Sequence, residues 1–323
     1  MSRTKRSAPE PTQTPPMVAE DATLRLGLLG HGVAHSLSPT LHRAGLDALG
    51  LPGTYGLHEA ASEAEARAIV ASLRAGALSG LNVTTPFKGL AASLADDVAD
   101  EVARRSANTL WMSGGRLQAG SSDGPGLLLA LAAVGVQVRG LRVGVLGAGG
   151  VAAAVSASFV DAGADLVWVM ARDPKACAAV AAGSGARPLA WGNATLPAVD
   201  LCIQATRIGH GAADATSLST SERAAVLALG DAIWRLDALW VDLVVARGGL
   251  TPLQRLGVDA GLPERWDLGR GVLPQSGAAM LAAQAAISLG WWTGRAPPLP
   301  SMAAAIGVDW FERAPSRGGS YQL

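Results

Sequence analysis

The chain is poor in the residues on which several classes of protein depend. Its 323 residues include only two cysteines, Cys177 and Cys202, and five histidines. No cluster of these residues has the spacing of metal ligands, so we expect no metal site. Two isolated cysteines are typical of buried thiols in a reducing compartment, which predicts a cytoplasmic protein.

Charge and hydropathy exclude two further kinds of partner. The 26 basic and 26 acidic residues give a formal net charge of zero, which leaves no large electrostatic footprint for nucleic acid or an acidic membrane. No run of about 18 uncharged apolar residues stands out as a membrane span. We therefore expect a soluble protein with neither nucleic acid nor membrane among its partners.

The bulk of the chain has the composition of a globular protein, and its two ends do not. Hydrophobic residues make up 49% and charged residues 16%, which allows a large core and two domains. Residues 1–23 carry Arg3, Lys5, Arg6 and several prolines without the apolar segment of a secretory signal, and are predicted as a disordered tail. Residues 313–323 are predicted as a second, loose tail.

A glycine turn is the most informative short stretch. A β-branched apolar run, Arg142 to Leu146, leads into Gly147-Ala148-Gly149-Gly150 and then into a small-residue, helix-compatible segment that reaches Val160. Strand, glycine turn and helix form the context of a dinucleotide-binding fingerprint. Gly147 would allow the tight turn, and Gly149 would let backbone N–H groups approach a pyrophosphate at the helix N-terminus. The alternative is a glycine turn in an α/β unit that binds nothing.

The order of predicted elements indicates an α/β fold. Strands alternate with helices after residue 142, which favours a parallel, doubly wound sheet of the Rossmann type. Earlier in the chain, a strand over 24–29 precedes a helix that Ser38 would cap. Further predictions are a strand over 80–85, helices over 89–95 and 97–105, a hairpin turned at Gly114-Gly115 and a long alanine-rich helix over 276–289.

Several polar residues could have either a role in a functional site or an ordinary structural role. Asn82 and Thr84 would face one side of a strand and emerge beside Lys88, although most lysines are surface charges. Asp123 precedes a helix, and its spacing alone favours an N-cap. Gln284 lies in an apolar helix, where it needs either a core hydrogen bond or a ligand. No Gly-x-Ser-x-Gly motif supports a nucleophilic triad.

Over about residues 24–294 these segments, in this order, resemble the shikimate dehydrogenase family. The matching segments are Ser36-Leu37-Ser38-Pro39-Thr40-Leu41-His42, Asn82-Val83-Thr84-Thr85-Pro86-Phe87-Lys88, Asn108-Thr109, Ser122-Asp123-Gly124, the glycine turn, Ala205-Thr206, Thr251-Pro252 and Met280-Leu281-Ala282-Ala283-Gln284. The resemblance implies a smaller α/β substrate domain over 24–122, completed by 275–312, and a dinucleotide-binding domain over 123–274.

The resemblance also implies an activity and a set of site residues. The family transfers a hydride between a nicotinamide cofactor and a ring hydroxyl or ketone of shikimate, a small cyclic hydroxy acid of aromatic amino acid biosynthesis. Lys88 and Asp123 would be the catalytic pair in proton transfer. The implied substrate-binding residues are Ser36, Ser38, Asn82, Thr84, Asn108 and Gln284. The implied cofactor-binding residues are Gly147, Ala148, Gly149, Gly150, Arg172, Asp173 and Thr206.

Departures from the family pattern leave alternatives open. Ser121-Ser122 replaces Asn-Thr, Arg207 stands where a small residue is usual, and no tyrosine lies near Val245. These changes keep quinate or an aminoshikimate open as the substrate, and a non-catalytic ligand-binding homologue open as the class. Arg172 favours NADP, whereas Asp173 could repel its 2′-phosphate or accept from the free ribose of NAD. The resemblance leaves a homodimer open.

Overall fold

The computed structural model describes residues 23–191, 197–211, 218–229, 238–246, 249–262 and 271–311. Both predicted tails, apart from residue 23, fall outside these ranges. Within them the chain forms two sheets flanked by helices. The predicted α/β fold class, with a parallel sheet of the Rossmann type, is confirmed.

The first sheet is mixed and contains the N-terminal strands. Its order is β2-β1-β3-β5-β6-β4, with β1, β2 and β3 parallel and β5 antiparallel to both β3 and β6. The strands are β1 (Leu24–Gly30), β2 (Gly53–Glu59), β3 (Gly80–Val83), β4 (Asp97–Val98), β5 (Thr109–Ser113) and β6 (Arg116–Gly120). The helices of this part are α1 (Ser38–Leu49), α2 (Glu63–Arg74), α3 (Lys88–Leu94) and α4 (Glu101–Ser106).

The second sheet is parallel throughout, in the order β12-β11-β10-β7-β8-β9. Its strands are β7 (Arg142–Leu146), β8 (Leu166–Ala171), β9 (Arg187–Ala190), β10 (Leu201–Gln204), β11 (Leu239–Asp242) and β12 (Gly271–Leu273). The accompanying helices are α6 (Gly150–Asp161), α7 (Pro174–Ser184), α8 (Thr220–Leu229) and α9 (Pro252–Asp259).

Two central helices, α5 (Asp123–Ala133) and α10 (Ser276–Thr293), join the sheets, and α11 (Leu299–Ala304) follows. Leu127 and Met280 pack into the core of the second sheet, whereas Ala130 and Ala282 pack into the core that contains β1. Both helices therefore bury two faces, which explains why their sequences are apolar nearly all round. The proposed domain boundaries stay a prediction.

Three local predictions are wrong for identifiable reasons. Ser38 is the first residue of α1, and the cap position belongs to Leu37. The predicted helix over 97–105 divides into β4 and α4, because Asp97 and Val98 pair with β6 and the Asp100 side chain caps α4. The strand predicted over 80–85 ends at Val83.

Candidate active site

A buried ion pair lies where helices attached to the two sheets meet. Lys88 is the first residue of α3 and Asp123 the first of α5. The Nζ atom of Lys88 lies 2.6 Å from Oδ2 of Asp123, and the side chains are 15% and 2% exposed. Two residues that are distant in the sequence are thus brought into direct contact.

The other carboxylate oxygen of Asp123 is held by two amides. Oδ1 accepts from Nδ2 of Asn108 at 3.0 Å and from Nε2 of Gln284 at 2.9 Å. The cap predicted for Asp123 does not form, because the carboxylate turns towards these donors and the N-cap position belongs to Ser122. Together with Lys88, these donors engage both oxygens and hold the carboxylate in one orientation.

Asn108 fixes the segment that carries Asp123. Its Oδ1 accepts from the backbone N–H of Ser122 at 2.8 Å, and its Nδ2 donates to the Ser122 hydroxyl at 3.0 Å. Ser122 thus makes polar contacts through both its backbone and its side chain. The hydroxyl of Ser121, by contrast, is buried with no hydrogen-bond partner among the described residues.

A second polar network surrounds Asn82. Its Nδ2 donates to the carbonyl oxygen of Asn108, to Oγ1 of Thr109 and to Oγ of Ser288, at 3.0–3.2 Å. Its Oδ1 accepts from the hydroxyl of Tyr55 at 2.9 Å. Sequence reasoning missed Tyr55 and Ser288 as members of this network. Ser288 lies one helical turn after Gln284, so helical spacing could have found it.

Ser36 and Ser38 lie close to one another beside this network. The Ser36 hydroxyl donates to the Ser38 hydroxyl at 3.1 Å and accepts from the Ser38 backbone N–H at 3.2 Å. The Tyr55 ring stacks on His42, with centroids 4.2 Å apart and planes 5° from parallel. Burial lowers the pKa of His42 to about 3, so its ring is neutral, and burial raises the pKa of Tyr55.

Thr84 follows directly after β3 and is half-buried. A Cβ atom built on Gly30 would lie 2.4 Å from its methyl carbon, so this methyl packs against the end of β1. The structure therefore places Thr84 at the same sheet edge as Asn82.

The glycine turn has the geometry that the fingerprint predicts. Gly147 has a φ of +124°, and a Cβ atom there would lie 2.7 Å from the carbonyl oxygen of Ala205. Gly149 has open space where a Cβ would stand, and it is the N-cap of α6 without a side-chain hydrogen bond. Ala148 packs beside Cys177. The N-terminus of α6 is thus open to an anion.

Thr206 lies on the neighbouring loop, next to the Ala205 carbonyl that faces Gly147. Its backbone N–H donates to Oε1 of Gln204, and its Oγ1 accepts from the N–H of Ile208 at 3.1 Å. The loop after β10 is therefore held firmly beside the turn.

Asp173 has a role that the sequence interpretation did not include. Its Oδ1 caps α7, accepting from the backbone N–H groups of Lys175 at 2.8 Å and Ala176 at 3.3 Å. Arg172, directly before it, is exposed. Oδ1 of Asp173 is thus engaged at the helix end, and the assignment of Asp173 to the cofactor stays a prediction.

Two departures from the family pattern lie at the surface. Val245 is 37% exposed just beyond β11, and the side chain of Arg207 is exposed. Tyr321 falls outside the described residues. Within the described ranges no group of three or more His, Cys, Asp or Glu side chains could hold a metal ion. No helix in those ranges has both the length and the hydropathy to cross a membrane.

Comparison with known proteins supports a common origin. Residues 28–110 match the model of the shikimate dehydrogenase substrate binding domain. An NADP+ shikimate dehydrogenase of Thermus thermophilus is 34% identical over 283 residues, covering 87% of this chain and 97% of the relative. That of Halobacterium salinarum is 34% identical over 285 residues, with the same two coverages.

A solved structure agrees with these relatives. The shikimate 5-dehydrogenase of Thermus thermophilus, crystallised with NADP(H) and shikimate, superposes with a TM-score of 0.72 at 34% identity. The match covers 88% of this chain and 98% of that one. This similarity, which extends over 87% of the chain at 34% identity, establishes that the chain belongs to the shikimate dehydrogenase family of oxidoreductases.

Proposed function

We propose that this chain is an NADP-dependent shikimate dehydrogenase, in which Lys88 and Asp123 handle the proton of the reacting ring hydroxyl. The observation that carries the proposal is the 2.6 Å contact between the two side chains. A bound nicotinamide supplies the hydride chemistry, accepting a hydride from the alcohol carbon or returning it to the ketone. The protein must therefore supply binding, orientation and proton transfer.

The proton passes through Nζ of Lys88. In the reductive direction the ammonium group donates a proton to the carbonyl oxygen that becomes the hydroxyl, and in the oxidative direction the amine accepts it. Asp123 holds this nitrogen in place through Oδ2, while Asn108 and Gln284 fix the carboxylate through Oδ1. One carboxylate thus orients the proton-transfer group without being consumed.

The substrate would lie over the polar surface beside this pair. The hydroxyls of Ser36 and Ser38 are suitable donors for the ring carboxylate. Asn82, together with Asn108, Gln284 and Thr84, presents amide and hydroxyl groups that suit ring hydroxyls. Tyr55 joins this proposed set through its hydrogen bond to Asn82.

The residues around the glycine turn fit a dinucleotide. Gly149 leaves open space above the uncapped N-terminus of α6, where backbone N–H groups favour a diphosphate. Gly147, Ala148 and Gly150 complete this turn, and Thr206 lies on the adjoining loop.

The choice of NADP over NAD rests on Arg172 and Asp173. The exposed Arg172 offers a positive charge for a 2′-phosphate, as in the relatives that bear the name NADP+ shikimate dehydrogenase. Oδ1 of Asp173 accepts from two N–H groups at the start of α7, which leaves the carboxylate less free to turn towards the ribose 2′-hydroxyl that NAD would present.

The experiment is a substrate panel. Purified protein is mixed with shikimate or quinate and with NADP+ or NAD+, and the reduced nicotinamide is followed by its absorbance. The proposal predicts the highest kcat/KM for shikimate with NADP+. Higher kcat/KM for quinate or NAD+ would overturn the substrate or cofactor assignment, and binding of a ring acid without any hydride transfer would favour the non-catalytic alternative.

Location and assembly belong to the same proposal. The two buried free thiols, Cys177 and Cys202, suit the reducing cytoplasm. A homodimer, which the resemblance leaves open, is decided by sedimentation velocity of the purified chain.

A further inference from the structure

The hydroxyl of Ser106 is a buried polar group that the proposed mechanism does not use. Ser106 is the last residue of α4 and is 3% exposed. Its Oγ atom has no hydrogen-bond partner among the described residues. Because buried hydroxyls are normally hydrogen-bonded, a hydroxyl without a protein partner is suited to hydrogen-bond a bound molecule.

Ser106 faces the first residue of the fingerprint helix. A Cβ atom built on Gly150 would lie only 2.3 Å from Oγ of Ser106, and 3.9 Å from Cδ of Lys88. The helix α4 packs against α6, which brings the hydroxyl to this position. Ser106 therefore lies at the end of α6 nearest the proposed proton-transfer group.

The first turn of α6 has no polar side chain, so its only hydrogen-bond donors are backbone N–H groups. This helix has 12 residues, and its N-cap, Gly149, makes no side-chain hydrogen bond. The N–H groups of its first turn have no partner within the helix, and the helix dipole makes this end positive. The Ser106 hydroxyl lies beside Gly150, the first residue that carries these backbone donors.

We propose that the Ser106 hydroxyl donates a hydrogen bond to the diphosphate of the bound dinucleotide, on the phosphate next to the nicotinamide ribose. The proposal rests on the proposed function, since it takes the glycine turn to be the cofactor site. The nicotinamide-side phosphate is chosen because Ser106 lies on the Lys88 side of the turn. Ser106 thus provides a cofactor contact from a helix that is attached to the first sheet.

The test compares cofactor affinities measured by titration calorimetry in the absence of substrate. In Ser106→Ala the Kd for NADP+ is expected to rise about tenfold, the effect of losing one hydrogen bond to a charged group. The Kd for adenosine 2′,5′-bisphosphate, which lacks the nicotinamide-side phosphate, should stay at the parental value. Ser121→Ala is the matched control, because Ser121 is also a buried serine without a partner among the described residues.

The outcomes separate this contact from the proposed function. Parental NADP+ affinity in Ser106→Ala, or an equal loss in Ser121→Ala or for the bisphosphate, would overturn the contact alone. A parent protein that binds shikimate but no dinucleotide would overturn the proposed function as well. Ser106→Cys, whose somewhat larger side chain keeps the site filled while its thiol is a weaker donor, replaces the alanine variant if that one does not fold, with the same expected rise in Kd.

Discussion

Replacing Asp123 by asparagine tests how much the site depends on one carboxylate. Its two oxygens accept hydrogen bonds from Lys88, Asn108 and Gln284 at 2.6–3.0 Å. An asparagine of the same shape offers a single acceptor oxygen, so at least one of these donors must face an NH2 group. If the oxygen stays with the two amides, the ammonium of Lys88 loses its partner.

The cost follows from the burial of the pair. Removing one partner of a fully buried ion pair costs about 3–5 kcal/mol, but the Lys88 side chain is 15% exposed and retains some water. We expect Asp123→Asn to lower the free energy of unfolding by about 2–3 kcal/mol, the upper part of the range of about 1–3 kcal/mol for a buried donor left unpaired. At about 2–4 °C per kcal/mol the Tm should fall by about 4–12 °C. The kcat should fall by about 10²–10⁴, the usual contribution of a positioned acid–base group.

Thermal melts and steady-state kinetics of Asp123→Asn and a control check these figures. The control is Asp97→Asn, because Asp97 pairs with Arg116 at 2.7 Å with side chains 32% and 58% exposed. Exposed ion pairs contribute little to stability because water screens them, and this pair lies apart from the proposed chemistry. If Asp123→Asn kept the parental kcat, or cost no more stability than the control, the reasoning about the buried carboxylate would be refuted.

Three further predictions concern packing, pH and the cofactor. Gly124→Ala should destabilise the protein by about 1–3 kcal/mol, because its Cβ would lie 2.0 Å from Oγ of Ser158. Gly89→Ala, whose Cβ would have its nearest atom at 3.9 Å, should instead stabilise the helix by about 0.5–1 kcal/mol. Urea melts measure both changes, and the reverse order would contradict this packing. Burial raises the pKa of Asp242 to about 7, so between about pH 4 and 7 the unfolded state holds fewer protons than the folded state. The free energy of unfolding should therefore fall as pH rises through this range, by on the order of 4 kcal/mol. Asp242→Asn should flatten this pH dependence in urea melts, and an unchanged slope would show that another group sets it. Arg172→Ala should raise the KM for NADP+ several-fold or more, since it removes a charged hydrogen-bond donor, and should leave the KM for NAD+ unchanged. Equal effects on the two KM values would contradict the assignment of Arg172 to the 2′-phosphate.

The strand patterns and the glycine turn could be predicted from sequence because their causes are local. The β-branched run before Gly147 forms β7 and the small-residue run after it forms α6. The hairpin at Gly114 and Gly115 is confirmed, with φ values of +56° and +76° that suit glycine. Local spacing failed where a distant partner decided the outcome, as when Asp97 and Val98 joined β6 instead of a helix.

The sequence predicted residues for the candidate site but not the contacts between them, and their functional roles stay predictions. Spacing alone favoured a cap for Asp123, and only the fold shows its carboxylate turned towards Lys88. Tyr55 escaped notice because it lies on β2, 27 residues before Asn82. The capping of α7 by the Asp173 carboxylate was not predicted, and the assignment of Asp173 to the cofactor stays a prediction. These outcomes depend on side-chain direction, which sequence spacing does not fix.

The most direct test of the central claim is the effect of Lys88→Ala on turnover of shikimate with NADP+, measured beside the calorimetric Kd for NADP+. If Nζ of Lys88 is the group that exchanges the hydroxyl proton, kcat should fall by about 10²–10⁴ while the protein still folds and binds NADP+ as the parent does. A Lys88→Ala protein that turns over shikimate at the parental kcat would contradict the assignment of proton transfer to this residue.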